Sequence, residues 1–264
     1  MGGALAGGWA TVSSGEDLVR WDRVADTYAQ TVGGDDDSFF RRFAPFLWRE
    51  LGDVQGLRVL DLGCGHGWLT AKLHHAGGDV VGIDGSAALI ATARATYPEL
   101  EFQVHDLTGG LPSSPGAYDR VVSHMVLMDI PDLAPMLADV ATALAPTGVF
   151  VFSILHPCFF NQHPVQDPVT GQWERRVRGY LDHEQRWIES FGGHTHYHRP
   201  LSWYVDQLAD HGLAVSRLHE PPTLPRHTRP TDQWNDYERW FAAIPTMIAV
   251  SCRPIGPIDE KVAL

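Results

Sequence analysis

The amino-acid sequence predicts an α/β domain built on a parallel, doubly wound sheet. Short apolar segments alternate with helical patterns from residue 57 to residue 155, as they do in chains that fold into right-handed β–α–β crossovers. Three glycines crowd into one strand-to-helix turn within this region, and acidic residues end successive strands. Ligands of such sheets bind at the carboxyl ends of the strands, where these acids are expected to gather.

Composition limits the partners that the chain can have. It has 264 residues, which suits one large domain, and a formal net charge of −12. This charge argues against a general affinity for nucleic acids or anionic membranes. Three widely spaced cysteines predict no disulfide framework. With no signal-like N-terminus and no apolar run long enough to cross a bilayer, we expect a cytoplasmic monomer or homodimer that acts on a small molecule.

Two helices are predicted before the sheet. Residues 1–14 are rich in Gly and Ala and are expected to be disordered, whereas residues 15–56 are expected to form a helical lid. The second helix is predicted over 39–51, with an N-cap at Ser38 and a break near Pro45. The acidic turn before it could hold a metal, but a solvated loop is the more common outcome, and we predict no metal.

The glycine-rich turn is the strongest single signal. A buried strand over residues 58–62 contains Asp61 and leads into Gly63, Gly65 and Gly67. Glycines allow a tight turn and let a ligand approach bare backbone, and the helix that follows adds free N–H groups. This arrangement is typical of nucleotide-binding α/β domains.

The segment Asp61-Leu62-Gly63-Cys64-Gly65-His66-Gly67 resembles motif I of the class I S-adenosylmethionine (SAM)-dependent methyltransferases. Its G-x-G-x-G spacing differs from the G-x-G-x-x-G of dinucleotide dehydrogenases, which are the alternative. The resemblance implies a Rossmann-like, seven-stranded sheet with an antiparallel last strand. It also implies SAM as the cofactor and S-adenosylhomocysteine (SAH) as its product.

Two further acids fall where this resemblance requires them. Asp84 ends the second strand and follows Gly63 by 21 positions, which suits a carboxylate that holds a ribose diol. Asp106 follows the third strand, and the resemblance assigns it to the adenine amino group. The residues predicted to bind the cofactor are Tyr28, Asp61, Gly63, Cys64, Gly65, Gly67, Trp68, Asp84, Gly85, Ser86, Asp106, Leu107 and Met125.

The alternation of strands and helices fails after residue 156. We therefore assign 57–156 to the cofactor-binding core, 157–199 to an insertion after strand five, 200–254 to the rest of the sheet domain and 255–264 to a tail. The insertion is rich in proline and aromatic residues, and the resemblance implies that it caps the substrate. The residues predicted to contact substrate are Phe159, Phe160, Trp173, Tyr180, Tyr197 and Trp203.

Two histidines at strand ends are the candidate bases. His156 follows strand five and is the first candidate, and His124 at the end of strand four is the second. The alternating histidines of 194–198 could bind zinc, but no fourth ligand is evident, so the rim of a pocket or a surface loop is preferred.

We expect a methyltransferase that acts on an oxygen or nitrogen of a small, largely apolar or aromatic metabolite. One alternative is a C-methyltransferase for an electron-rich or prenyl substrate, with Glu174 or Glu189 as its base. Another is a protein that binds SAM without transferring its methyl group.

Overall fold

The computed structural model describes residues 14–34, 37–113, 117–160, 164–224 and 230–256. Most of the predicted disordered N-terminus, Asp35 and Asp36 of the acidic turn, and most of the predicted tail lie outside these residues. The predictions made for those segments therefore remain predictions.

A seven-stranded sheet forms the centre of the molecule. Its strands are β1 Arg58–Leu62, β2 Asp79–Asp84, β3 Glu101–Val104, β4 Tyr118–His124, β5 Leu144–Leu155, β10 Leu213–His219 and β11 Met247–Pro254. Their spatial order is β10-β11-β5-β4-β1-β2-β3. Strands β1 to β5 pair in parallel, whereas β11 is antiparallel to both of its neighbours. The predicted Rossmann-like sheet with an antiparallel last strand is confirmed.

Helices cover both faces of this sheet. Successive side chains of β1 point to opposite faces, so Leu60 and Leu62 pack into the core on one face and Val59 packs into the core on the other. The helices are α1 Ser14–Thr31, α2 Ser38–Leu51, α3 Trp68–His75, α4 Ala87–Thr96, α5 Ala134–Ala143, α6 Leu201–Asp210 and α7 Asp236–Ala242.

Helix α2 corrects two details of the prediction. The helix is continuous through Pro45, because the buried side chains of its apolar face, among them Phe43 and Leu47, offset the backbone hydrogen bond that proline cannot make. Its N-cap is Asp37 rather than Ser38. The Asp37 carboxylate accepts hydrogen bonds from the N–H groups of Phe39 and Phe40 at 2.8 and 3.1 Å.

The segment between β5 and α6 forms two small antiparallel hairpins. The strands are β6 Pro164–Gln166 with β7 Trp173–Arg175, and β8 Glu184–Ile188 with β9 His194–His198. Every residue of β9 is buried, and the strand packs against α1 and the 3₁₀ helix Leu127–Asp129. This packing brings the alternating histidines of β9 to the sheet edge where β4 ends.

Candidate active site

The glycine turn after β1 lies in a conformation that side chains would obstruct. Gly63 and Gly65 have φ angles of +69° and +57°, in the left-handed region that favours glycine. A Cβ atom on Gly63 would lie 2.4 Å from a methyl carbon of Val126. The turn thus exposes bare backbone to the space above the sheet, as a cradle for a nucleotide requires.

An open space lies above this turn, and we call it the main cleft. Its volume is about 690 Å³, including the part that is open to solvent. Its walls come from the glycine turn, the ends of β2, β3 and β4, the loop after β4, and α1. The lining residues are Asp17, Leu18, Trp21, Tyr28, Gly63, Gly65, Asp84, Gly85, Leu89, Asp106, Leu107, Thr108, Met125, Val126, Asp129, Ile130 and Pro131.

The carboxylate of Asp84 connects the glycine turn to the end of β2. Its two oxygens accept hydrogen bonds from the N–H of Gly65 at 2.9 Å and the N–H of Ser86 at 2.8 Å. Burial raises its pKa, and these two hydrogen bonds oppose that effect. A carboxylate offers about four lone-pair sites, so Asp84 can still accept hydrogen bonds from a diol.

Asp106 is placed on the same wall. Its carboxylate caps a short 3₁₀ helix by accepting hydrogen bonds from the N–H and hydroxyl of Thr108 at 2.9 and 2.7 Å. The neighbouring Leu107 is buried and lines the cleft. Met125 lies at the end of β4 with a φ of +60°, and its N–H donates to the carbonyl of Ser153 at 3.0 Å. The structure therefore brings these predicted cofactor residues together.

A smaller space, which we call the inner cavity, adjoins the main cleft. It encloses about 420 Å³, and Tyr28 and Gly63 line both spaces. The lining residues are Tyr28, Val32, Gly33, Asp37, Phe40, Asp61, Gly63, Cys64, His66, Trp68, Leu69 and His124.

Asp61 is the most enclosed acid of the inner cavity. It accepts a hydrogen bond from the hydroxyl of Thr70 at 2.7 Å. Burial raises its pKa to about 7, and the hydrogen bond from Thr70 opposes this. At neutral pH the carboxyl is therefore divided between its protonated and ionised forms.

Helix α1 covers the main cleft. Leu18, Trp21 and Tyr28 present their side chains to it, and the rings of Trp21 and Tyr28 meet edge to face at 5.6 Å. The helix is tied to the cofactor side because Ser86 donates a 2.6 Å hydrogen bond to Asp22. Ser86 itself is buried and caps α4, outside both sets of lining residues, and Gly67 likewise serves as the N-cap of α3.

The two candidate bases have different positions. His124 lines the inner cavity, its ring is stacked on Phe43 at 4.8 Å, and burial lowers its pKa to about 4. Its Nδ1 atom lies 2.6 Å from the hydroxyl oxygen of Ser153. His156 is 4% exposed and lies outside the walls of both cavities as the structure describes them.

Both ring nitrogens of His156 already have partners. Its Nδ1 accepts a hydrogen bond from the N–H of Cys158 at 3.1 Å, and its Nε2 lies 2.8 Å from Glu220. A base needs a free lone pair within reach of the acceptor. The structure does not bring His156 into that position.

The six predicted substrate residues lie around the insertion, and within the described parts of the chain none of them lines either cavity. Phe159 contacts His156, Phe160 lies near His196, and Trp173 packs on Tyr237.

The other three predicted substrate residues support the fold around the cleft. Tyr180 accepts a hydrogen bond from the N–H of Leu201 at 3.0 Å, and Trp203 packs under Arg199 at 4.5 Å. Tyr197 is buried and donates a hydrogen bond from its hydroxyl to Asp17.

Several residues of the cleft were not selected from the sequence as site residues. Asp17 and Leu18 lie on α1, and Asp129, Ile130 and Pro131 lie in the loop after β4. The position of that loop, shortly after the strand end that holds Met125, is the one signal that could have pointed to it.

The described residues contain neither a metal-binding cluster nor a membrane-spanning helix. No group of three or more His, Cys, Asp or Glu side chains there is arranged to hold a metal ion. No helix among them is long and apolar enough to cross a membrane.

Comparison with known proteins agrees with this geometry. Residues 59–148 match the profile of a family described as a methyltransferase domain. The chain is 29% identical, over 67% of its length, to 68% of a trans-aconitate 2-methyltransferase of Azoarcus sp.. It is 32% identical to a ubiquinone biosynthesis O-methyltransferase of Albidiferax ferrireducens over 39% of this chain, a match that spans 43% of that protein.

Solved structures show the same fold. An S-adenosylmethionine-dependent methyltransferase from Mesorhizobium loti superimposes with a TM-score of 0.67 at 29% identity. The match covers 80% of this chain and 97% of that one, and so extends well beyond the glycine turn.

Proposed function

Since this chain is a class I SAM-dependent methyltransferase, we propose that it methylates an oxygen or nitrogen atom of a small, largely apolar molecule that carries no net negative charge. The observation that supports this proposal is the charge of the cleft walls. Among the described lining residues of the main cleft, four are aspartates and none is lysine, arginine or histidine.

The residues of the main cleft fit SAM. Gly63 and Gly65 would present backbone to it, Asp84 would hold the ribose hydroxyls, and Asp106 with Leu107 would receive the adenine. When bound, SAM supplies a methyl group on a positively charged sulfonium. The surrounding carboxylates suit that positive charge, because opposite charges attract strongly where water is excluded.

The chain assists the transfer by positioning the acceptor and by excluding water. Helix α1 closes the cleft with Leu18, Trp21 and Tyr28, which exclude water and hold the acceptor against the cofactor side. Burial, together with the nearby Asp84, raises the pKa of Tyr28 far above its usual range, so its hydroxyl stays protonated. Tyr28 can therefore donate a hydrogen bond but does not act as an anionic base.

The same walls argue against an anionic acceptor. Trans-aconitate, after which the Azoarcus relative is named, is a tricarboxylate at neutral pH and would need cationic partners. The inner cavity offers His66 and His124, but burial lowers the pKa of both. Neutral imidazoles cannot offset several negative charges, and buried unpaired charges are costly.

The test combines binding and transfer. Isothermal titration calorimetry with SAM establishes cofactor binding, and SAM with a tritiated methyl group is then offered with catechol, benzylamine or trans-aconitate. We expect label on the hydroxyl or amine probe and none on the tricarboxylate. Efficient labelling of trans-aconitate would refute the proposed acceptor charge, and binding of NAD without SAM would refute the function as a whole.

A further inference from the structure

Cofactor binding leaves two acids of the main cleft without a role, Asp17 and Asp129, and of these Asp17 is already hydrogen-bonded to Arg20, Thr195 and Tyr197. Asp129 ends the 3₁₀ helix Leu127–Asp129 and lines the cleft on the side of α1. Its side chain is 9% exposed. Within the described residues its Oδ1 atom is buried and has no hydrogen-bond partner, although a buried carboxylate oxygen normally has one.

Two histidines of β9 lie close to this carboxylate. Oδ1 of Asp129 lies 3.9 Å from Nε2 of His194 and 3.8 Å from Nδ1 of His196. Both histidine side chains are buried. These distances are just beyond hydrogen-bond length, and contacts of this kind commonly tighten once substrate is bound.

The loop that carries Asp129 is fixed in place. Arg199, which follows β9 and is 1% exposed, donates hydrogen bonds to the carbonyls of Leu127, Ile130 and Pro131 at 3.3, 2.7 and 2.6 Å. The hairpin that brings the histidines to Asp129 therefore also holds its backbone. Such support is what a reacting group requires from its surroundings.

The surroundings of Asp129 make its carboxylate a stronger proton acceptor than an ordinary aspartate. Burial raises the pKa of Asp129 well above its usual range, Asp17 adds to this, and Arg199 opposes it. Burial also lowers the pKa of His194 and His196, so both are neutral at pH 7. The titratable and charged groups around Asp129 are Asp17 and Tyr28 on α1, His194 and His196 on β9, Arg199 after β9, and Tyr204 on α6.

We propose that Asp129 is the base that removes the proton of the methyl acceptor, that His194 and His196 are positioning residues for its carboxylate, and that the acceptor is a hydroxyl or an amine. This inference rests on the proposed function.

The lone pair of the acceptor oxygen or nitrogen forms the new bond to the methyl carbon while the S–CH₃ bond electrons return to sulfur, which becomes a neutral thioether. The acceptor proton passes to the Asp129 carboxylate, which becomes a carboxylic acid and later loses that proton to water. A neutral histidine can donate one N–H to the ionised carboxylate and hold it in position.

The first test needs no acceptor. If Asp129 faces the reacting methyl, the sulfonium of SAM favours its ionised form and SAH does not. Calorimetry at several pH values in buffers of different ionisation enthalpy should then show SAM releasing more protons than SAH. Asp129→Asn should abolish that difference, whereas the exposed Asp132→Asn in the same loop should keep it. An unchanged difference in Asp129→Asn would overturn the proposal.

The second test measures transfer in single turnovers with catechol or benzylamine. Asp129→Asn should lower the rate at least about 100-fold, the usual contribution of a general base, and should remove its rise with pH. The Asp132→Asn variant should behave like the wild type. A wild-type rate in Asp129→Asn would refute the base while leaving the methyltransferase function intact, and failure of the wild type to bind SAM would refute the function itself. If neither probe is methylated, the proton-release test decides the proposal.

Substitutions by amide side chains test whether the two histidines position Asp129. His194→Gln and His196→Asn each keep a donor near the nitrogen that faces Asp129, whereas His194→Ala and His196→Ala remove it. We expect the alanine variants to lower the rate about 10-fold and to displace its pH profile, and the amide variants to restore most of both. Equal thermal unfolding across the set, with no change in the pH profile, would show that the histidines do not position the base.

Discussion

Asp61 gives the sharpest quantitative prediction. Its pKa is raised from 3.8 to about 7 by burial, so the folded chain keeps a proton between about pH 4 and pH 7 that the unfolded chain has lost. Stability must therefore fall as pH rises through this window. The unfolding free energy lost across the whole window is about 4 kcal/mol, at about 1.4 kcal/mol for each pKa unit.

Asp61→Asn removes this titration without changing shape. The amide oxygen can still accept the hydrogen bond that Thr70 donates at 2.7 Å in the wild type. Between pH 5 and pH 7.5 the wild type should lose about 2–3 kcal/mol of unfolding free energy that the variant does not lose. The comparison between the two proteins cancels the other buried acids, because both proteins contain them.

The assay is urea unfolding followed by circular dichroism, without ligand, at both pH values for both proteins. Asp79→Asn, an exposed position at the start of β2, serves as the control and should follow the wild type. A difference between wild type and Asp61→Asn that stays the same at both pH values would refute the reasoning. A wild type that gains stability relative to the variant as pH rises would show that the carboxylate is stabilised by hydrogen bonds rather than destabilised by burial.

Three further substitutions test the site. Asp84→Asn should weaken SAM binding about 100-fold in calorimetry, because one backbone N–H of the turn then faces an amide donor and a charged acceptor is lost. The control Asp79→Asn should bind SAM like the wild type. Equal SAM affinities of Asp84→Asn and the wild type would refute the ribose assignment. Gly63→Ala should abolish SAM binding, whereas Gly52→Ala, with a similar φ of +65° and no atom within 4 Å of its Cβ, should cost only the backbone strain, about 1–3 kcal/mol in urea unfolding. His156→Ala should lower the unfolding temperature and leave single-turnover transfer within about 3-fold, since both of its ring nitrogens serve the fold; a large loss of transfer at unchanged stability would restore it as the base.

The sheet and its cofactor edge could be predicted because both depend on local sequence. The alternation along β1, the glycines of the turn and the acid at the end of β2 are specified within about 30 residues, and parallel strands bring their carboxyl ends to one edge. Asp84 and Asp106 could thus be placed before any coordinate was known. The continuity of α2 through Pro45 could not, since it depends on core partners that are distant in sequence.

The acceptor side of the cleft was harder to predict, because contacts between segments that are distant in sequence form it. Asp129 and His196 are 67 positions apart, and they meet only because β9 packs against the loop after β4. The rule that strand ends carry function pointed to His156, whose two ring nitrogens are used inside the fold. Aromatic content pointed to Trp173 and Tyr197, which pack against α7 and α1.

The buried carboxylates of the cleft differ in whether the fold supplies their hydrogen-bond partners. The acids near the glycine turn have hydrogen-bond partners within the fold, as Asp84 does with Gly65 and Ser86. The Oδ1 atom of Asp129, by contrast, is buried without a partner among the described residues, although Arg199 fixes its loop. A buried oxygen without a hydrogen-bond partner destabilises the folded chain by about 1–3 kcal/mol. Nitrogen atoms of His194 and His196 lie 3.9 and 3.8 Å from this oxygen, so a substrate that tightens these contacts recovers this energy and fixes Asp129 in position to act as the base.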